Sequence, residues 1–233
     1  MSDDSRDNNL IRLSAPLDSL TVARHSGPGL RLIFWVQGCS LLCTKHCLNP
    51  HLLKQEAGYL VTPDKLGRAL KGLAGDFKEV EGVTVLGGEP FDQAWALARA
   101  LAPVRLSGLS VMLYTGHTLE SLRRMSRPGV SRLLELCDIL VDGPFLEEQY
   151  EESLVWRGSL NQRILLLSER YTQGDIEKAM ARQRRAVSVS IGVRGEISVS
   201  GAQSSEAARE LRRLTRASAP KRDDGPTVLE ITR

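Results

Sequence analysis

The feature that most constrains this chain is a cysteine-rich loop, Gly38 to Cys47, which follows the apolar run Leu30 to Val36. Three of the four cysteines in the sequence, Cys39, Cys43 and Cys47, lie in this loop. Thiolates this close together in sequence bind one soft metal centre from the same side. The spacing therefore predicts a metal site at the end of a strand. It suits a disulfide network less well, because a bridge needs a defined separation of its two Cα atoms.

Two kinds of metal centre fit these three cysteines. Three thiolates would hold three irons of a 4Fe–4S cluster and leave one iron open, and an open position separates a reactive site from a closed structural one. Alternatively, His46 supplies a fourth ligand, since three cysteines and one histidine are a common zinc set. The loop alone leaves both possibilities open. The fourth cysteine, Cys137, stands in an apolar helical context and is interpreted as a core thiol.

The composition is that of an ordinary soluble protein, with 42% hydrophobic and 25% charged residues. The formal net charge of +3 is too small to indicate a nucleic-acid partner. No apolar stretch is long enough to span a membrane, and the polar segment Met1 to Asn9 is unlike a signal peptide. We therefore expect a cytoplasmic protein without membrane contact, in a compartment where free thiols persist.

Strands and helices alternate along the middle of the chain, which predicts a parallel sheet with crossover helices. The predicted strands are Leu30–Val36, Val83–Leu86, Val111–Tyr114 and Ile139–Val141, and the predicted helices start after Thr62 or cover Phe91–Ala102 and Val130–Leu136. Parallel α/β sheets bind their ligands at the carboxyl ends of the strands. The loops that follow the predicted strands are therefore the candidate site.

The same patterns divide the chain into segments. We expect a mobile N-terminal segment over residues 1–20, a core over 21–170, a C-terminal extension over 171–217 and a loose tail over 218–233. Further predicted elements are a strand over Ile164–Leu167, a polar helix over Gly174–Arg185, a hairpin around Arg194-Gly195-Glu196 and a helix over Ser204–Arg216.

Three loops that follow predicted strands carry glycine beside a polar residue. They read Gly87-Gly88-Glu89-Pro90, Tyr114-Thr115-Gly116 and Val141-Asp142-Gly143. Taken singly, each is better explained as an ordinary turn. Glycine lets the backbone approach a ligand closely, so the shared position of these loops at strand ends predicts one common binding site.

Together with the cysteine loop, these motifs resemble the radical S-adenosylmethionine (SAM) enzymes. A narrower resemblance, to the activating proteins of anaerobic ribonucleotide reductase, also rests on Gly27-Pro28-Gly29-Leu30-Arg31 and on Trp156 to Arg163. The resemblance covers roughly residues 25 to 165. It implies an α/β fold of the open, partial (β/α) barrel type, built of parallel strands with a small C-terminal extension.

The resemblance implies an oxidoreductase that uses a 4Fe–4S cluster to cleave SAM reductively into methionine and a 5′-deoxyadenosyl radical. In the activating proteins this radical takes a hydrogen atom from a glycine of a partner and leaves a stored glycyl radical. The implied partners are a glycyl-radical enzyme of the ribonucleotide reductase type and a low-potential electron donor such as flavodoxin or ferredoxin. Two alternatives are a radical SAM enzyme that modifies a peptide or small molecule, and a non-catalytic regulatory module that binds zinc or an iron-sulfur cluster.

The resemblance also implies roles for single residues. Cys39, Cys43 and Cys47 would ligate the cluster. The residues expected to contact SAM are His46, Gly87, Gly88, Glu89, Thr115, Gly116 and Asp142, and those expected to face the partner are Trp156, Arg157, Asn161 and Gln162. The family usually has three and then two residues between its cysteines, whereas both gaps here hold three residues. Trp156 and Arg157 equally fit a structural role, with the guanidinium stacked on the indole to close the barrel edge.

Overall fold

The computed structural model describes residues 9–183, 187–191 and 197–201. Its strands are β1 (Ile11–Leu13), β2 (Thr21–Ala23), β3 (Leu30–Val36), β4 (Tyr59–Val61), β5 (Val80–Gly87), β6 (Ser110–Tyr114), β7 (Ile139–Asp142), β8 (Arg163–Leu166), β9 (Val187–Ile191) and β10 (Ile197–Gly201). Its α-helices are α1 (Pro63–Asp76), α2 (Ala94–Leu106), α3 (Leu119–Arg124), α4 (Pro128–Leu136) and α5 (Gln173–Gln183). Short 3₁₀ helices cover Leu17–Ser19, Pro50–Leu52, Pro90–Gln93 and Glu147–Gln149.

The main sheet has the strand order β4-β1-β3-β5-β6-β7-β8, with β2 also paired to β3. Neighbours among β3, β5, β6 and β7 are parallel, so Val36 lies opposite Gly87 and Tyr114 opposite Val141. The predicted α/β fold with a core of parallel strands is confirmed. The remaining strands of this sheet, β1, β2, β4 and β8, pair antiparallel. β8 runs back along β7 because no crossover helix separates the two strands, and a parallel connection needs one.

One face of this sheet is covered by helices. Val83 of β5 and Leu113 of β6 are buried in the main apolar core together with residues of α1, α2 and α4. α1 begins as predicted, with the Thr62 side chain accepting a hydrogen bond from the Lys65 N–H and with Pro63 at the first helical position. The helices thus leave the strand ends and the opposite face of the sheet for other elements.

The face opposite α1, α2 and α4, called the inner face below, carries a second, smaller core. Met112 of β6 and Ile139 and Val141 of β7 are buried there with Trp156 and with Ile176 of α5. Successive strand residues point to opposite faces, which is why these side chains separate from the main core. The predicted C-terminal extension therefore begins with a helix that packs against the sheet.

The N-terminal segment is more ordered than the sequence predicted. The expectation of a mobile stretch over residues 1–20 is wrong from Ile11 onward, because β1 pairs with β3 and β4 and buries Ile11 and Leu13. A strand of three residues is too short for an alternating pattern to be recognised in sequence. Residues 1–8 lie outside the described part of the chain.

The other C-terminal predictions have mixed outcomes. The predicted hairpin is confirmed, since β9 and β10 pair antiparallel with Val189 opposite Val199. The predicted strand at Ile164 and helix at Gly174 are found as β8 and α5. The predicted helix over Ser204–Arg216 and the tail over 218–233 lie outside the described residues. Within the described ranges, no helix combines the length and the apolar character needed to cross a membrane.

Candidate metal centre and cofactor site

The cysteine loop starts directly after β3, at the carboxyl end of the parallel strands. Gly38 turns the chain there with a φ of +95°, a conformation that favours glycine. The Gly38 N–H donates to the Leu52 carbonyl at 2.9 Å, and the Cys39 N–H donates to the Leu53 carbonyl at 3.3 Å. These bonds tie the start of the loop to the 3₁₀ turn that follows it.

The three thiols differ in exposure, but backbone N–H groups approach each sulfur. Cys39 is buried, Cys47 is half-buried and Cys43 is exposed. The Asn49 N–H donates to the Cys47 sulfur at 3.4 Å. Burial raises the pKa of Cys39 and Cys43, and backbone N–H groups act against this rise, that of Leu42 on Cys39 and that of Phe145 on Cys43. Such donors stabilise the negative charge of a sulfur bound to iron.

The donor set fits a 4Fe–4S cluster, because three free thiols on one loop supply three ligands and their sulfurs have N–H donors. Over the described ranges, no three His, Cys, Asp or Glu side chains are gathered in a metal-binding geometry. Binding would therefore draw the thiols together, as expected where ligation is coupled to local folding.

The turn after β5 holds the cysteine loop from one side. Asp92 accepts two hydrogen bonds from Ser40, one from its N–H at 2.7 Å and one from its hydroxyl at 2.7 Å. The Glu89 N–H donates to the Gly38 carbonyl at 2.9 Å. Sequence reasoning missed Asp92 and Ser40. The available signal, an acidic residue near a helix start, predicts a helix cap and gives no indication of a distant partner.

Gly87 and Gly88 are required by close contacts within the protein. Gly87 has a φ of +132°, and a Cβ on Gly88 would lie 2.0 Å from the Gly38 carbonyl oxygen. The Gly88 N–H also donates to the Val36 carbonyl at 2.9 Å. The predicted contact with SAM stays a prediction for Gly88. Its first steric requirement is the contact with the cysteine loop.

Glu89 joins the turn after β5 to the turn after β6. Its carboxylate, in a residue only 1% exposed, accepts hydrogen bonds from the Phe91 N–H at 2.9 Å and the Gly116 N–H at 3.0 Å. The Thr115 hydroxyl lies 3.0 Å from each carboxylate oxygen. Burial raises the pKa of Glu89 to about 7. The structure thus brings together Glu89, Thr115 and Gly116, three residues that the resemblance assigned to SAM.

Gly116 connects this carboxylate to the cysteine loop. A Cβ on Gly116 would lie 2.5 Å from Cδ2 of Leu41 and 3.6 Å from the Cys43 sulfur. Any side chain at this position would press on the loop. The ends of β3, β5 and β6 therefore meet at one place, which is where a parallel sheet binds its ligands.

Asp142 lies away from this meeting point. Its carboxylate is fully buried, accepts a hydrogen bond from the Leu119 N–H at 2.7 Å and pairs with Arg163 of β8. Arg163 pairs with Glu120 as well. Asp142 shares the helix-covered face with Leu140, two residues before it on the same strand. This placement gives no support to the predicted contact of Asp142 with SAM, which stays a prediction.

His46 is exposed, with its Nε2 atom 3.3 Å from Oε2 of Glu147 and 63% of its side chain in solvent. The structure does not bring the imidazole together with the three thiols in the part of the chain it describes. Neither the zinc-ligand role nor the predicted contact with SAM gains support. The gap between Cys43 and Cys47 holds one residue more than the family pattern, which is why the role of the residue before the last cysteine does not carry over directly to His46.

The predicted partner segment, residues 156–163, is organised largely by Gln162. The Gln162 side chain accepts hydrogen bonds from the Gly158 N–H at 2.8 Å and the Ser159 N–H at 3.2 Å. It donates to the Gly143 carbonyl at 3.1 Å. Gln162 therefore fixes the segment to the loop after β7, and its amide has three partners within the protein.

Arg157 and Asn161 retain unused hydrogen-bonding capacity. Arg157 donates through Nη1 to the Gln162 carbonyl at 2.9 Å, and Asn161 donates to the Pro144 carbonyl at 2.7 Å. Among the described residues, Nε of Arg157 and Oδ1 of Asn161 are the buried side-chain polar atoms without a hydrogen-bond partner. One donor and one acceptor are thus left over in this segment.

Trp156 is an interior residue. It is 7% exposed, and it packs with Met112, Val141 and Ile176 on the inner face. Its backbone has a φ of +62°, and its indole N–H donates to the side chain of Gln183. A side chain this buried offers a partner little contact area, and the prediction that Trp156 faces the partner stays a prediction. The burial agrees with the alternative of a structural role.

Cys137 is a core thiol, as predicted. It is buried, and its S–H donates to the Ile139 carbonyl at 3.0 Å. Burial raises the pKa of this thiol far above its ordinary range. Cys137 therefore stays apart from the chemistry of the cysteine loop.

The family described as "4Fe-4S single cluster domain" matches residues 25–165 of this chain. The anaerobic ribonucleoside-triphosphate reductase-activating protein of Vibrio cholerae is 32% identical over 143 residues, which are 60% of this chain and 89% of that protein. The protein of the same name from Haemophilus influenzae is 31% identical with the same coverage. A pyruvate formate-lyase-activating enzyme of Staphylococcus aureus is 37% identical over 91 residues, 38% of this chain and 36% of that enzyme.

Proposed function

The chain belongs to the 4Fe-4S single cluster domain family, and from this we propose that it activates an anaerobic ribonucleoside-triphosphate reductase by generating a glycyl radical on it. The observation that carries the proposal is the similarity to the Vibrio cholerae activating protein, which extends over 89% of that protein. The similarity to the pyruvate formate-lyase-activating enzyme extends over only 36% of that enzyme. The family match over residues 25–165 includes the cysteine loop and the turns after β5 and β6.

The cofactors are a 4Fe–4S cluster and SAM. When bound, the cluster supplies the electron for reductive cleavage of SAM, and the 5′-deoxyadenosyl group then takes a hydrogen atom from a glycine. Cys39, Cys43 and Cys47 would hold the cluster. The N–H groups that approach their sulfurs stabilise negative charge, and the buried position of Cys39 excludes water from one side.

Glu89, Thr115 and Gly116 would line the SAM site beside Cys43. The carboxylate of Glu89 is held by two backbone N–H groups, so it cannot turn away when a cation approaches. The methionine ammonium would favour the ionised carboxylate through its opposite charge. It would compete for the oxygens with the Thr115 hydroxyl, which lies 3.0 Å from both of them.

We place the contact with the partner's glycine-bearing segment at Arg157 and Asn161. Their Nε donor and Oδ1 acceptor are buried and have no partner among the described residues, so the C=O and N–H of an extended peptide could pair with them once this segment opens. The loop that holds them lies beside Leu48, since a Cβ on Gly158 would be 3.0 Å from that side chain. Leu48 follows Cys47 directly, so this segment is close to the candidate cluster. A low-potential donor such as flavodoxin or ferredoxin would supply the electron, and the cytoplasm would supply the reducing conditions.

The position of α5 favours the activating protein over an enzyme for small molecules. An enzyme for small substrates would cover the mouth of its barrel. Instead, Tyr171, two residues before α5, bonds to Ser110, the first residue of β6, and Gln183 at the end of α5 bonds to Gly27, which precedes β3. These are amino ends of strands, whereas the cysteine loop follows a carboxyl end. α5 therefore leaves the mouth uncovered.

The proposal is tested by anaerobic reconstitution with iron and sulfide, followed by reduction in the presence of SAM. We expect 5′-deoxyadenosine as a product. With an anaerobic ribonucleoside-triphosphate reductase from the same genome, we expect a glycyl-radical signal in electron paramagnetic resonance (EPR). If 5′-deoxyadenosine forms but no reductase acquires the signal, the hypothesis of a radical SAM enzyme for a peptide or small molecule replaces that of the activating protein. Tetrahedral zinc without SAM binding would establish the regulatory module instead.

A further inference from the structure

We propose that α5 is a crossbar that closes the inner face of the sheet at the amino-terminal half of the strands, so that substrate reaches the site only past the strand-end loops. The inference rests on the proposed function, since it concerns how the partner's glycine enters. α5 lies outside the family match over residues 25–165. The 143 residues aligned to the Vibrio cholerae protein are 89% of that protein but only 60% of this chain. Most of the unaligned residues of this chain therefore have no counterpart in that relative.

The first attachment of the crossbar is just before α5, at Tyr171. The Tyr171 hydroxyl donates to Oγ of Ser110 at 2.8 Å, and the same oxygen accepts a hydrogen bond from Arg31 at 2.8 Å. The Ser110 hydroxyl itself donates to the Glu81 carbonyl at 3.1 Å. Arg31 is fully buried and also donates to Thr84 at 2.6 Å. Tyr171 therefore docks on a buried network that links β3, β5 and β6 near their amino ends.

The middle of α5 attaches through one apolar stripe. Ile176 is 1% exposed and packs with Met112 and Ile139. Ala179 and Met180, three and four residues further along, are partly buried against the same cluster. This spacing places the three side chains on one side of a helix. The rest of α5 is polar and faces away from the sheet, which is the pattern of a helix laid across a surface.

The far end of α5 attaches through Gln183. Its side chain donates to the Gly27 carbonyl at 2.6 Å and to the Arg24 carbonyl, and it accepts a hydrogen bond from the Trp156 indole. Arg24 and Gly27 belong to the turn between β2 and β3. One amide thus joins α5, the loop that carries Trp156 and the amino end of β3.

The two ends of the crossbar reach different strands. Tyr171 bonds to the first residue of β6, and Gln183 bonds to the turn that precedes β3. These two strands are separated by β5. Two strand spacings amount to about 10 Å, and a helix of 11 residues is about 16 Å long. α5 is therefore long enough to span the parallel core from one side to the other.

Among the residues that the structure describes, this placement leaves the carboxyl ends of the strands as the open route. The cysteine loop and the turns after β5 and β6 are at the carboxyl ends of the strands, and α5 closes the other end of the inner face. A small thiol reductant approaching from the amino ends is blocked, whereas an extended segment of the partner can enter past the strand-end loops. The hydrogen atom taken by the 5′-deoxyadenosyl group then comes from the partner's glycine. With the crossbar open, a thiol S–H would supply it instead and leave a thiyl radical.

The test compares Ile176→Ser with Lys178→Ser, an exposed position on the same helix that serves as the matched control. Reactions contain the reconstituted protein, SAM, dithionite, dithiothreitol and the reductase in D₂O. Two quantities are measured, the ratio of 5′-deoxyadenosine to glycyl radical and the fraction of 5′-deoxyadenosine that carries deuterium from the thiol. Hydrogen exchange of residues 173–183 reports whether α5 has opened, and iron per chain reports the loading.

We expect Ile176→Ser to open α5, to keep its iron, and to raise both quantities several-fold, while Lys178→Ser matches the parent. If Ile176→Ser fails to fold, Gln183→Met, which removes the hydrogen bonds at the far end but keeps the size, replaces it. An open α5 with unchanged quantities would overturn the crossbar, and so would rapid exchange of α5 in the parent. More glycyl radical in the variant than in the parent would make α5 an inhibitory gate instead. A parent that forms no 5′-deoxyadenosine at all contradicts the proposed function rather than this inference.

Discussion

The carboxylate of Glu89 and the hydroxyl of Thr115 lie 3.0 Å apart at both carboxylate oxygens, and this contact joins the ends of two neighbouring parallel strands. The same carboxylate holds the Gly116 N–H, and Gly116 touches the cysteine loop at Leu41. A chain of short contacts therefore runs from the turn after β5, through the turn after β6, to the loop that carries the thiols. A change at one of these positions is expected to reach the others.

The first prediction concerns the ligands of the cluster. Each of the single substitutions to Ala at Cys39, Cys43 and Cys47 should remove most of the iron bound after reconstitution, because two thiolates hold a 4Fe–4S cluster poorly. Cys137→Ala is the matched control. It removes a buried sulfur at a cost of about 1–3 kcal/mol, but it should leave iron per chain unchanged. Loss of the cluster in Cys137→Ala would contradict the assignment.

The second prediction is a dependence of stability on pH that belongs to Glu89. Its pKa is about 7 in the folded protein against an ordinary 4.5, so between these values the folded state binds more protons than the unfolded state. The free energy of unfolding of the cluster-free protein should therefore fall as pH rises from about 4.5 to about 7, by about 3 kcal/mol from this group. Below about pH 4.5 ionisation of Glu89 takes nothing from the free energy of unfolding, and above about pH 7 the full loss is present.

This slope is isolated by comparing the parent with Glu89→Gln in urea unfolding at pH 5 and pH 8. The difference removes the opposite contributions of His25 and His117, whose pKa values are lowered by burial. The amide cannot accept at both ends, so the variant should also carry a loss that does not depend on pH, about 1–3 kcal/mol. Parallel pH profiles for the two proteins would show that Glu89 is ionised throughout.

The third prediction concerns the contact between Gly88 and the cysteine loop. Gly88→Ala would place a Cβ 2.0 Å from the Gly38 carbonyl oxygen, so the loop must shift. We expect a loss of about 1–3 kcal/mol in stability and a lower iron content. Gly72→Ala is the control, because a Cβ at this position in α1 meets nothing within 4 Å and should stabilise the helix by about 0.5–1 kcal/mol. Full iron loading with weaker SAM binding in Gly88→Ala would show that glycine is needed at this position for contact with SAM.

The fourth prediction concerns Asp92 as the anchor of Ser40. Asp92→Asn removes the charge and leaves one good acceptor for two donors, so the start of the cysteine loop should loosen. We expect about 1–2 kcal/mol less stability without the cluster and faster loss of iron to a chelator. Asp76→Asn, at the exposed end of α1, should behave as the parent in both assays. Unchanged chelation kinetics in Asp92→Asn would show that the loop is positioned by its other contacts alone.

The sequence predicted the parallel strands and the site at their ends because both signals are local. β3, β5, β6 and β7 are short apolar runs, and each glycine turn follows its strand directly. Which face of β7 carries the side chain of Asp142 could not be predicted in this way. On a strand, a shift of one residue changes the face, and the face of β7 that meets the helices is decided by packing.

The contacts that position the site are long-range, which is why they were missed. Asp92 and Ser40 are 52 residues apart, and Trp156 and Gln183 are 27 residues apart. No periodicity links such pairs. The short strand β1 was missed for a related reason, since its three residues are stabilised mainly by the neighbours β3 and β4 and hardly by their own pattern.

The last prediction separates the two roles considered for Trp156. Its indole is buried on the inner face and bonded to Gln183, so Trp156→Ala should cost about 3–5 kcal/mol of stability. SAM cleavage and glycyl radical formation should fall together. Trp95→Ala is the control, because Trp95 is 45% exposed and its loss should change stability by less than about 1 kcal/mol. Urea unfolding, 5′-deoxyadenosine and the EPR signal of the partner are measured on both variants. A stable Trp156→Ala protein that cleaves SAM but transfers no radical would instead place this side chain at the partner.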